Sequence, residues 1–353
     1  MRHEIRERGP MPFDRFMDLA LYYPNLGYYE RQAETVGRAG DFFTSVSVGS
    51  LFGELLAFQF VRWLDELPLA QGTLRSLQIL EAGAHDGRLA FDVLSWIRQC
   101  RSDLLPHVEY WILEPSAPRQ QAQAQTLRAF KENIRWVASW DSIPSQSIRG
   151  VIYSNELLDA FPVRRFGWNA AERHWVEWAV AWEDGHFVWA KRRGVGPAVP
   201  SELAAELPDG FTVEISPAAE AWWSQAASRL AHGKLLTIDY GLAAEEFFAP
   251  QRAHGTLRAY HRHHLSSDLL DHVGEQDLTS QVNFNALLQK GEAAGLRTEG
   301  LIPQAKFLTE ILQQTERSPG SFSTWTPARL RQFQTLTHPE HLGRSFKVLI
   351  QAR

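Results

Sequence analysis

Gly83 and Gly87 lie in the stretch SLQILEAGAHDGRLAFDVL, read from Ser76, whose residue types suit ligand holding better than any other in the chain. Leu77, Ile79 and Leu80 form a short apolar run ending at Glu81, and Leu89, Val93, Trp96, Ile97 and Cys100 follow the glycines at helical spacing. The pattern predicts a strand, a tight turn and a helix. At the carboxyl end of a parallel strand, glycines let backbone approach a ligand, and the helix N-terminus offers unpaired N–H groups. A nucleotide-like ligand is the natural occupant. A second run, VEYWILE from Val108 to Glu114, ends in a carboxylate that can accept from ribose hydroxyls or stand as a solvated strand end. Gly37, Gly40, Asp41, Thr44 and Ser45 cluster before a helix beginning near Ser50. These small and hydroxyl residues either close over a ligand or leave Ser47 or Ser50 to cap the helix.

The composition bounds what these residues can serve. A chain of 353 residues holds one large or two ordinary domains, and 44% hydrophobic content is enough for a full core. A net charge of −5 argues against a general nucleic-acid binder, which needs a basic footprint. The single cysteine, Cys100, excludes an internal disulfide and a multi-cysteine metal site. His261, His263 and His264 lie together without a carboxylate pair at ligand spacing, so no metal is expected. There is no apolar run of about 18 residues, and MRHEIRERGP lacks the apolar core of a signal peptide. The expectation is a cytoplasmic protein with no membrane partner.

The elements that must position the site follow from periodicity. Phe13, Phe16, Met17 and Ala20 mark a short amphipathic helix over Pro12 to Ala20, followed by the aromatic, turn-rich LYYPNLGYY. Strands are expected at Leu77–Glu81, Val108–Glu114, Ile134–Val137, Gly150–Asn155 and Lys234–Asp239, separated by helical segments. That alternation predicts a parallel sheet. A closing pair is expected at Leu296–Ile302 and Ser345–Gln351. Between the fourth and fifth strands, Val176, Trp178, Val180 and Trp182 alternate on one face and turn at Asp184-Gly185 into Phe187 and Trp189. Five of the 13 tryptophans fall between Arg164 and Arg192, and they read as an apolar sheet face covering the main domain or as the lining of a substrate groove.

The strings GPMPFDRFMDLALYYPNLGYY, GRAGDFFTS, LFGELLA, LEAGAHDGRL, NELLDAFPV, LLTIDYG, GTLRAY and FKVLI occur in this order between about Gly9 and Ile350. In them the chain resembles the MidA-like family of S-adenosylmethionine-dependent methyltransferases, whose mitochondrial members include an arginine methyltransferase that assists assembly of respiratory complex I. The resemblance implies an α/β class I methyltransferase fold, a Rossmann-like doubly wound sheet with an antiparallel terminal hairpin and a Trp-rich accessory insertion. It divides the chain into an N-terminal arm and helices closing over the cofactor (1–75), the first part of the cofactor-binding core (76–162), an accessory substrate-side insertion (163–233), a core strand (234–241), a second insertion (242–295) and the C-terminal hairpin (296–353).

What the resemblance implies for chemistry is equally specific. S-adenosyl-L-methionine would be held by Gly40, Asp41, Thr44, Glu81, Gly83, Ala84, Gly87, Glu114, Pro115 and Asn155. Asn155, Glu156 and Asp159 end the fourth strand, where the acceptor of a class I enzyme faces the methyl sulfonium, with Asp239 as a further acid. Glu156 is central, because a carboxylate can bind a guanidinium in bidentate fashion and orient its nitrogen. Glu214 and Tyr240 would bind the substrate. The chain departs from the family where Ala84, His85 and Asp86 separate the two glycines of the usual E-x-G-x-G turn. His85 would intrude where backbone normally approaches the cofactor, and Asp86 would compensate by contacting its amino group. Val46-Ser47-Val48 also replaces the usual proline and glutamate. The expected function is methyl transfer to a protein arginine. The alternatives are a non-enzymatic assembly factor and a small-molecule methyltransferase.

Overall fold

The computed structural model describes residues 1–31, 44–67, 77–199, 201–262, 264–317, 320–339, 342–343 and 345–353. These form two compact units: the described residues of Phe43–Leu157, Trp222–Tyr240 and Leu287–Arg353, and those of Met1–Phe42, Leu158–Ala221 and Gly241–Ala286. The division crosses the expected boundaries. The N-terminal arm falls in one unit and the following helix in the other.

In the larger unit the strands run in the order Arg297–Pro303, Phe346–Ala352, Leu230–Leu242, Ile148–Asn155, Leu77–Ala82, Val108–Leu113, Ile134–Val137. The last five are parallel, while Phe346–Ala352 is antiparallel to both of its neighbours. This is the class I methyltransferase sheet with its terminal hairpin, and the expected strands recur within a few residues. Their apolar runs are those of parallel strands covered on both faces: Ile79, Leu80, Tyr110, Ile112, Val151, Ile152 and Tyr153 are all fully buried. The helix Leu51–Asp65 is apolar nearly all round and lies in the core, with Phe60 against Tyr153 at a ring separation of 4.9 Å. Strand order reverses between Leu77–Ala82 and Ile148–Asn155, and in open α/β sheets the crevice at the carboxyl ends beside such a reversal is where ligands bind.

The smaller unit is built on a sheet in the order Met11–Pro12, His174–Glu183, Arg164–Asn169, Thr212–Ile215, with His186–Arg193 also paired to His174–Glu183. Asp184 and Gly185, both at positive φ, make the expected hairpin turn. The tryptophan-rich hairpin is neither a bare groove nor a one-faced cover. Val180, Trp182, Phe187 and Trp189 pack with Phe13, Phe16 and Met17 of the helix Phe13–Tyr22, and on the other face Trp168 and Trp175 pack with Phe211, Val213 and Leu207. The intervening Glu177 is also buried, held by Arg164 Nε at 2.8 Å and Arg192 Nε at 3.4 Å. Among the described residues no helix is long and apolar enough to cross a membrane.

Candidate functional site

The glycine turn is built from three alternate left-handed positions, Gly83 (φ 75°), His85 (φ 47°) and Gly87 (φ 83°), leading into the helix Arg88–Cys100. A side chain at Gly83 would meet Leu157 Cδ1 at 2.9 Å, and one at Gly87 would press on Leu127 at 3.2 Å. Both glycines are therefore required twice, by φ and by space. His85 adopts the same conformation at a cost, with its ring turned to Asp86 at 3.8 Å. Asp86 takes a local role: its Oδ1 accepts from the Arg88 N–H at 3.0 Å at the start of the helix. Burial raises the Asp86 carboxyl, but the bonds from His85 and from Arg88 outweigh it and hold the group below its usual range.

Glu81, expected among the cofactor-binding residues, turns the other way. It is 2% exposed, and its Oε2 accepts from the Tyr110 hydroxyl at 2.6 Å, while that hydroxyl lies 2.5 Å from the hydroxyl of Tyr153. Strand alternation carries its side chain into the packed sheet beside the two tyrosines. Burial pushes its carboxyl up to about 7, against the opposing hydrogen bonds of Tyr110 and Tyr153. Ala84 is buried in the turn and Pro115 is exposed just beyond Glu114.

Glu114 stands at the end of its strand, as expected of a ribose acid, and its surroundings hold it firmly. Oε1 accepts from the Ser116 N–H at 2.9 Å and Oε2 from Gln123 Nε2 at 3.1 Å, while the carbonyl of Glu114 accepts from Gln120 at 2.7 Å. Gln123 carries no signal in the sequence. It stands in the polar run RQQAQAQT, which reads as a solvated helix face.

At the end of the Ile148–Asn155 strand, Glu156 is held at φ 51°, a strained value for a non-glycine residue and one that concentrates at functional sites. Its Oε1 accepts from the Ser45 N–H at 3.0 Å and from Asn155 Nδ2 at 3.1 Å. Asn155 Oδ1 is buried without a hydrogen-bond partner among the described residues. Asp239 is fully buried; its Oδ2 accepts from the Leu157 N–H at 3.1 Å and its Oδ1 from the Tyr240 N–H at 2.8 Å. Those bonds make it a clamp on the Glu156–Leu157 turn, where a catalytic acid was expected. Tyr240 is half-buried, its ring 3.9 Å from that of Phe346. Thr44 and Ser47 bond each other reciprocally, and the fully buried Ser45 donates its hydroxyl to Gln304 Oε1 at 3.3 Å. Gly40 and Asp41 lie outside the described residues.

Asp159 and Glu214 belong to the smaller unit. Asp159 is half-buried at its surface, and desolvation pushes its carboxyl up to about 7 despite backbone hydrogen bonds. Tyr29, which bonds Asp277, lies within electrostatic reach of it. Glu214, expected to bind substrate, is 4% exposed, and its Oε2 accepts from the N–H and hydroxyl of Thr256 at 2.7 and 3.1 Å. Its Oε1 lies 3.4 Å from Arg165 Nε. Burial raises the Glu214 carboxyl and Arg165 opposes that rise. The carboxylate anchors the GTLRAY segment, and Gly255 leaves the space it occupies.

The chemistry of the larger unit fits S-adenosyl-L-methionine. Gly83 and Gly87 let the turn take left-handed backbone packed closely on Leu157 and Leu127, a 13-residue helix with unpaired N–H groups begins there, and a carboxylate ends the neighbouring strand. Comparisons agree. A family model of S-adenosyl-L-methionine-dependent methyltransferases matches residues 55–302. A Burkholderia thailandensis protein solved with S-adenosyl-homocysteine bound is similar at a TM-score of 0.83 and 31% identity, over 100% of this chain and 90% of that one. The curated Protein arginine methyltransferase NDUFAF7 homolog of Drosophila melanogaster is 27% identical over 99% of this chain and 83% of its own length. The Danio rerio protein of that name is 26% identical over 98% and 84%. Fold, cradle and relatives lead to one conclusion: the chain belongs to the family of S-adenosyl-L-methionine-dependent methyltransferases, as a class I enzyme with that cofactor as methyl donor.

Proposed function

We propose that the methyl acceptor is the guanidinium of a protein arginine, with Glu156 and Asn155 as the residues that hold it. The observation that carries this reading is the pairing of a carboxylate with an unsatisfied acceptor. Glu156 brings negative charge at a strained strand end, and beside it Asn155 Oδ1 is buried with no donor among the described residues. A ligand that completes this arrangement brings N–H donors and positive charge. Guanidinium supplies both, in a planar fork. The names of the relatives from Drosophila melanogaster and Danio rerio support the same acceptor.

In this reading Gly83, Ala84 and Gly87 offer backbone to the cofactor and Glu114 accepts from its ribose. When bound, S-adenosyl-L-methionine supplies an electrophilic methyl on a positive sulfonium. Glu156 would accept from one guanidinium N–H, draw positive charge to its own side, favour a lone pair on the nitrogen to be methylated and take the proton that this nitrogen gives up. Asn155 accepts from a second N–H and fixes the plane of the group. Asp239 holds the backbone of Leu157 and so the strained turn on which Glu156 stands.

The test is radiolabel transfer from S-adenosyl-L-methionine to protein in a lysate of the native host, with mass spectrometry of the labelled band. Glu156→Gln should leave S-adenosyl-homocysteine affinity within about twofold, while transfer falls by about two orders of magnitude. Label confined to small molecules, or transfer by Glu156→Gln at the wild-type rate, removes the arginine reading.

A further inference from the structure

Gln123 is fully buried, although its helix, Ala117–Thr126, is otherwise polar and largely exposed. Its side-chain amide is committed at both ends. Nε2 donates to the His85 carbonyl at 3.0 Å and to Glu114 Oε2 at 3.1 Å, and Oε1 accepts from the Trp136 indole at 3.0 Å. The indole N–H can only donate, so it fixes which end of the amide is oxygen and directs both amide N–H groups at the other two partners. Those partners are the two halves of the cofactor cradle. One is the backbone of the glycine turn at the single position where a left-handed residue is not glycine; the other is the acid at the neighbouring strand end. The helix packs directly on the turn: a Cβ at Gly87 would lie in ordinary contact with Gln123 Cα at 3.5 Å and would press on Leu127, just past the helix, at 3.2 Å.

We propose that Gln123 is a positioning residue for S-adenosyl-L-methionine, its one amide locking the His85 backbone and the Glu114 carboxylate in the arrangement that receives the cofactor. It explains how the chain keeps a cradle with histidine in place of the usual glycine: the amide bond to the His85 carbonyl holds a conformation that the residue does not favour by itself. The proposal rests on Glu114 as the ribose acid and is independent of the acceptor.

The test is titration calorimetry of S-adenosyl-homocysteine with the full chain at pH 6 and pH 8. Gln123→Glu keeps the acceptor for Trp136 and puts an oxygen where the donor met Glu114 and the His85 carbonyl. Affinity should fall about tenfold or more at pH 8 and recover several-fold at pH 6, where a proton shared by the two carboxyls restores one donor. His85 and Asp86, the titratable groups facing this cluster from the turn, are present in the wild type as well, so the ratio of variant to wild type is the quantity read. Affinity within about twofold of wild type at both pH values, or an equal loss at both, overturns the proposal, because a merely structural role predicts no added pH dependence. Gln123→Met supplies an uncharged check: it should weaken binding about tenfold in the wild type and at least twofold less in a His85→Gly background, where glycine needs no tether. Equal penalties in the two backgrounds overturn the His85 branch. Glu114→Ala separates the premises. If it binds within about twofold of wild type, the ribose reading and the Glu114 branch fall together; if it weakens binding while both Gln123 variants do not, the positioning role alone falls.

Discussion

The backbone N–H of Ser45 donates to Glu156 Oε1 at 3.0 Å, joining a residue that precedes the helix Leu51–Asp65 to the end of the Ile148–Asn155 strand. The Ser45 hydroxyl reaches Gln304 Oε1, and Gln304 Nε2 in turn donates to the Leu336 carbonyl at 3.1 Å. All three polar links are internal to the larger unit, and Ser45 and Gln304 are fully buried. The orientation of Glu156 is thus set through the C-terminal helices Gln304–Arg317 and Pro327–Thr337. Gln304→Leu strands the Ser45 hydroxyl and the Leu336 carbonyl, and should lower the methyl-transfer rate about tenfold and stability by about 1–3 kcal/mol. Ser45→Ala keeps the N–H to Glu156 and should cost about threefold in rate. Steady-state transfer and urea unfolding read both; an unchanged rate for Gln304→Leu would refute the link.

A pH dependence follows from Glu81. Burial raises its carboxyl from 4.5 to about 7, so the folded chain binds this proton more tightly than the unfolded chain does. Its contribution is fully present below about pH 4.5 and is lost as pH rises through 7, about 3 kcal/mol when complete. Asp159, also pushed up to about 7, acts in the same direction. Urea unfolding should therefore show a chain less stable at pH 8 than at pH 5.5. Glu81→Gln, neutral at every pH, should remove most of the part of that slope due to Glu81. A wild-type slope retained in Glu81→Gln would contradict the assignment.

These two networks show where reading the sequence stops. The parallel strands and the terminal hairpin were legible because apolar runs at strand length, divided by helical periods, leave few topologies. The Gly83–Gly87 turn was legible because positive φ selects glycine. The direction of the Glu81 side chain was not legible, since proximity in sequence to the turn says nothing about which face a strand-end side chain takes. Gln123 and Gln304 were invisible. A glutamine among polar neighbours reads as solvated until the sheet order brings its helix against the turn, and the Ser45–Gln304 bond spans 259 residues. In the strand His174–Glu183, alternation suggests one apolar face, but Trp175 and the Arg-paired Glu177 bury the other face too.

His85→Gly relieves a left-handed conformation that costs a side-chain-bearing residue about 1–2 kcal/mol, while added freedom of the unfolded chain takes back about 0.4–1 kcal/mol. Net stability should be unchanged or rise by up to about 1.5 kcal/mol, and S-adenosyl-homocysteine affinity should stay equal or improve. Calorimetry decides. A loss beyond about tenfold would mean that the imidazole itself contacts the cofactor.

Glu214 gives the sharpest contrast between an acid that handles substrate and one that holds the fold. Both of its oxygens are engaged inside the smaller unit, by Thr256 and by Arg165, and Arg165 is itself buried enough that desolvation lowers its pKa. Glu214→Gln would leave that guanidinium without its counter-charge, a change that typically costs about 3–5 kcal/mol when one partner of a buried pair is removed. The solvent contact that Arg165 retains places the expected loss at or just below the bottom of that range, about 2–3 kcal/mol. Transfer by the folded fraction should stay within about twofold of wild type, because the carboxylate acts on Thr256 and Arg165 rather than on an acceptor. Measuring stability by urea unfolding and rate by radiolabel transfer on the same preparation separates the two roles. A rate loss of about a hundredfold at near-wild-type stability would return Glu214 to the substrate-binding residues.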